Sequence, residues 1–131
     1  MRSDRHVRLG WAAALACLGV LPPPAAVHAR PRPFSFGSVE FMPAEGRLPA
    51  ARAYIAQTVR AGMPLPEAIA AVQGAGVRCD APPTPIVRCT RASLQRPPDG
   101  QVQDVVWTVR LIADPEGQVT HATVTRAVYG L

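Results

Sequence analysis

The chain has 131 residues, and 14 basic residues, all of them arginine, stand against nine acidic ones for a net charge of +5. That length suits one domain; 48% hydrophobic residues suffice for a core, and 5% aromatic residues mean the core is built from Ala, Val, Leu and Ile. Fifteen prolines exclude a long continuous helix or coiled coil, and P-loop, GxSxG, HExxH and paired CxxC motifs are all missing, with the enzyme classes they mark.

The first 29 residues read as an address. Arg2, Arg5 and Arg8 form a positive start, residues 9–21 an apolar run, and Pro22, Pro23 and Pro24 end it. Val27-His28-Ala29 then presents residues a signal peptidase accepts, so cleavage is expected after Ala29. A run of thirteen residues is well short of the ~20 that span a bilayer. Ala14-Leu15-Ala16-Cys17 resembles a lipobox, which makes Cys17 the competing site, for lipidation. Cleavage after Ala29 leaves 11 arginines, eight acids and two cysteines, Cys79 and Cys89. An even pair in an exported chain reads as a disulfide.

Residues 30–47 are rich in Pro, Gly and Ser, interrupted by Phe34, Phe36 and Phe41. They are expected to form an extended arm, either a loose linker or a strap that tucks its phenylalanines onto the domain or a partner. The domain proper is expected from residue 48 to 131. Over residues 48–61, Leu48, Ala51, Ile55 and Val59 recur at helical spacing, with Pro49 in the first turn and Gly62 as a left-handed cap. A second helix starts with Pro66 at its first position and Glu67 in its first turn; Leu65, Ile69 and Val72 form its buried stripe, and Gly76 ends it.

The period then changes to two. Val77 and Cys79 share one face of a short strand, and Val87 and Cys89 one face of a strand over residues 86–92. Cys79 opposite Cys89 would bridge two adjacent antiparallel strands. Residues 102–113 alternate most clearly, with Val105, Trp107, Val109 and Leu111 on an apolar face. Asp114-Pro115-Glu116-Gly117 is a turn with glycine where φ is positive, and residues 118–128 return. Two registers compete. A four-residue loop pairs Ala113 with Gln118, Trp107 with Val124, Thr108 with Thr123 and Arg110 with His121; a three-residue loop with a glycine bulge moves His121 and Thr123 to the apolar side. The hydrophobic pattern favours the first.

The expected fold is α+β, with two N-terminal helices on one face of a small antiparallel sheet of three to four strands. The other face carries Thr108, Arg110, His121, Thr123 and Thr125 and is expected to be open. Gly62-Met63, Glu67-Ala68 and Val72, with the Asp114-to-Val119 turn, resemble the small outer-membrane assembly lipoproteins (SmpA/OmlA type) over roughly residues 60–127. That resemblance implies a fold shared with β-lactamase inhibitor proteins and an envelope location. The chain departs from the family in having Pro64 where its pattern places a capping Thr, and in adding Cys79 and Cys89.

Chemistry is sparse. Nine residues separate the cysteines and strands flank both, unlike redox-active thiols at a helix N-terminus. His121 and His28 are too few for a metal site, and no metal or cofactor is expected. The arginines are scattered, which argues against a nucleic-acid surface. The expected function is therefore that of an exported envelope or secreted protein, not an enzyme. It binds another protein or an envelope component through the open sheet face or the Phe-bearing arm. A membrane partner follows only if Cys17 is lipidated. The alternatives are a structural or stress-related secreted protein with no dedicated site, or a small enzyme.

Overall fold

The structure is a computed structural model that describes residues 19, 32–80 and 85–130; Cys17 and Ala29 lie outside the described residues. Among these, no helix is long and apolar enough to cross a membrane. A short 3-10 turn (Ser38–Phe41) leads into α1 (Ala44–Thr58) and α2 (Leu65–Gly74). Strands β1 (Arg78–Cys79), β2 (Ile86–Gln95), β3 (Gln103–Ala113) and β4 (Val119–Gly130) follow. They form one antiparallel sheet in the order β1-β2-β3-β4. The class is α+β, as the periodicities imply.

The helices supply the stripe the spacing predicts. Ala51, Ile55, Val59, Ala68 and Val72 are buried, and Leu48, Leu65 and Ile69 pack partly buried against them. The sheet answers with Val87, Cys89, Val105, Trp107, Val109, Leu111 and Val124. α1 ends at Thr58 with Val59 as its cap, so Gly62, expected as the cap, stands three residues further on in the turn to α2, at φ 88°, a region that disfavours a side chain. Just beyond it, the Val119 amide donates to the Met63 carbonyl and the Gly62 amide to the Val119 carbonyl, at 2.8 and 2.7 Å. The connection between the helices thereby covers the start of β4.

The segment expected as an arm is built differently. Residues 32–35 have no regular structure, residues 36–41 form turns, and α1 begins at Ala44, so Pro49 lies inside the helix and not in its first turn. Pro66 likewise stands second in α2, after Leu65. Phe36 and Val39 are fully buried core residues. The Phe36 ring lies 5.3 Å from that of Trp107, and Phe34 meets Phe36 edge-on at 5.2 Å and stacks on Tyr54 at 4.3 Å. Two of the three phenylalanines thus dock on the domain, while Phe41 is 93% exposed.

Cys79 faces Cys89 across the β1–β2 ladder, and the two form a disulfide.

Candidate binding face

The β3–β4 hairpin decides what the open face carries. At the turn the Asp114 amide donates to the Gln118 carbonyl (2.8 Å) and the Gly117 amide to the Asp114 carbonyl (3.0 Å), with Gly117 at φ 79°. This is the three-residue loop with a glycine bulge. The Asp114 carboxylate accepts from the amides of Glu116 and Gln118, at 3.0 and 2.9 Å, and holds the loop. Ala113 therefore pairs with Val119 and not with Gln118. By itself that slip would turn His121 and Thr123 toward the core. A second irregularity follows at once: Ile112 pairs with His121, leaving Thr120 as an extra residue whose hydroxyl donates to the Ile112 carbonyl at 3.1 Å. Two slips of one residue restore the original parity.

The faces are thus as expected, but the partners shift by two residues. Arg110 faces Thr123, not His121; Thr108 faces Thr125, not Thr123; Trp107 faces Arg126, not Val124. His121 sits one residue along, opposite Ile112, with its Nδ1 3.1 Å from the Thr120 hydroxyl. Arg110, His121 and Thr123 are exposed, whereas Thr108 is buried at 9% exposure despite lying on the open face. Its place is the reason: β3 is an inner strand, with Thr90 of β2 on one side and Thr125 of β4 on the other.

Extending the ladders across the sheet shows what the hairpin alone does not. Arg88 of β2 lies directly opposite Arg110, and both are exposed. Arg78 of β1 faces Thr90, so the row beside the two arginines runs Arg78, Thr90, Thr108, Thr125. Opposed like charges destabilise a strand pair. Among the described residues, none of Arg78, Arg88 and Arg110 has an ion-pair partner within 4 Å. Two acids share this face. Asp80 joins β1 to β2 through its amide, which donates to the Arg88 carbonyl at 2.9 Å, and Asp104 sits at the far end opposite Tyr129. Ile86 and Leu94 are exposed along the outer part of the face. The sequence named Arg110; Arg88 and Arg78 escaped because only pairing across strands brings them beside it.

A second cluster lies on the helix side. Glu40, with a side chain 8% exposed, accepts from Trp107 Nε1 (2.6 Å), Gln95 Nε2 (2.8 Å) and both Nε and an Nη of Arg126 (2.8 Å each). Arg47 adds a longer contact at 3.5 Å. Burial alone would raise the Glu40 pKa, but the Arg126 hydrogen bonds, then those from Gln95 and Trp107, outweigh it and hold the carboxyl down at about 2. The Arg126 pKa is raised in turn by the same bonds. Arg126 also lies 5.8 Å from the centre of the Trp107 ring. With every partner a donor inside the fold, this cluster fastens the 3-10 turn to β2, β3 and β4. Nothing in the local sequence of Glu40 marks it, since its hydrogen-bond donors are 55, 67 and 86 residues away.

Among the described residues, no group of three His, Cys, Asp or Glu is placed to hold a metal ion. No protein-family model, no curated protein and no solved structure matches the chain.

Proposed function

We propose that the protein is exported with loss of residues 1–29. In the periplasm or outside the cell it acts as a non-enzymatic binding protein. Its open sheet face takes up an anionic partner, a protein or another component of the cell envelope. The observation that carries this reading is the opposed pair Arg88 and Arg110, exposed and with no ion-pair partner within 4 Å among the described residues, with Arg78 in the adjoining row. A partner's carboxylates or phosphates would supply what the fold withholds, and the flanking threonines offer further hydrogen bonds. The strongly shifted carboxyl, Glu40, already has all its donors within the fold, which supports a structural part for it. The similarity of residues 60–127 to the small outer-membrane assembly lipoproteins supports an envelope setting, as does the disulfide, which persists in oxidising compartments.

The test is capture from envelope extract on immobilised protein, run beside an Arg88→Gln/Arg110→Gln variant and at low and high salt. A stoichiometric partner is expected that the double variant loses and that salt weakens. Equal retention by both proteins would refute the assignment to this face.

A further inference from the structure

Between α1 and β4 runs a groove of about 440 Å³, lined by Ile55 and Ala56 of the helix, by Val59 just past its end and by residues 122–125 of the strand. Side chains of a strand point alternately to its two faces, so a groove touching four successive residues has the strand's backbone edge as its wall. That edge is open. The connection between the helices covers β4 as far as Val119, and beyond it β4 pairs, among the described residues, with β3 alone. Within residues 122–125 the usual protections of an edge are missing: the bulges of the hairpin lie before His121, β4 contains neither proline nor lysine, and its one arginine, Arg126, is drawn inward to Glu40.

We infer that this groove binds an extended polypeptide segment, which adds to β4 as a fifth strand. Its backbone would pair with residues 122–125. Its alternate side chains, small and apolar, would lie over Ile55, Ala56 and Val59, where the alanines Ala56 and Ala122 leave room. Arg52 is the one charged side chain among the described lining residues, and it selects a segment carrying a carboxylate. The same charge argues against a second copy of the chain as occupant, because β4 holds no Asp or Glu to meet Arg52.

The probe is a capped eight-residue peptide of alternating Val and Thr with one central Glu, added to the oxidised protein and followed by amide hydrogen exchange. Added protection is expected at residues 122–125. Replacing the peptide's Glu by Lys should weaken binding about tenfold, the loss of one charge-assisted contact. R52E should reverse that preference, with its β2 and β3 amides unmoved as the check on folding. Methylating the peptide amides along one edge should abolish the added protection. The proposal is overturned if residues 122–125 gain none, if the methylated peptide protects equally, if R52E leaves the preference unchanged, or if the protein dimerises through β4 without peptide. Protection that appears instead beside Arg88 and Arg110 would also overturn it, while leaving the open face intact as a binding surface.

Discussion

Trp107 and Arg110 are three positions apart on one strand and face opposite environments: the indole is fully buried and the guanidinium exposed. Trp107→Ala should destabilise the domain by roughly 3–5 kcal/mol, since it opens a cavity and takes away the indole donor to the Glu40 carboxylate. Arg110→Ala should leave the denaturation midpoint almost unmoved and act only on partner binding. Chemical denaturation of the two variants checks both; the reverse ranking would mean the faces are exchanged. Glu40 adds a dependence on acid. Its folded pKa, about 2, lies below the ordinary 4.5, so its contribution to stability is present above pH 4.5 and lost as pH falls toward 2. The size at neutral pH is on the order of 3 kcal/mol. Urea titrations at stepped pH should show the wild type losing stability over that range while E40Q loses markedly less; parallel curves would remove Glu40 from this role.

At the scale of elements, the disulfide ties β1 to β2 and the hairpin ties β3 to β4, both toward the Ile86–Ile112 end of the β2–β3 pair. The cysteines are ten positions apart and close a short loop between β1 and β2. Cys89→Ser should therefore cost about 2–3 kcal/mol, read as a lower unfolding midpoint that wild type reproduces on reduction. The hairpin shows how far patterning reaches. Alternation in β3 correctly put Trp107 and Arg110 on opposite faces, because a strand's side-chain period is fixed by its backbone. It did not give the register. Turn chemistry selected the glycine bulge, and Thr120 added the compensating second one, an event with no mark in the hydrophobic pattern. Similarly, Pro49 read as a helix start because proline is favoured there, yet the turn before it is helical too, with the Arg47 Nε donating to the Met42 carbonyl at 2.9 Å.

For the molecule as a whole, the first test is of its fate. Intact mass of protein recovered from outside the cytoplasm is expected to match a chain beginning at Arg30. A lipid-modified chain beginning at Cys17 would establish the lipoprotein route instead, and an uncut chain would remove export with cleavage.

Sequence by itself determined the α+β class, the order of helices before strands, the cysteine pair and the sidedness of the sheet. These follow from local period, from turn residues and, for the cysteines, from their places on two short neighbouring strands. Only the tertiary structure decided three things. It turned residues 36–47 from an arm into core, turn and helix, because Phe36 found Trp107 and Glu40 found Arg126 across long stretches of chain. It set Arg88 opposite Arg110, a contact between strands 22 positions apart that no local window contains. And it left the edge of β4 open beside α1, since which strand ends a sheet depends on how all the strands pair.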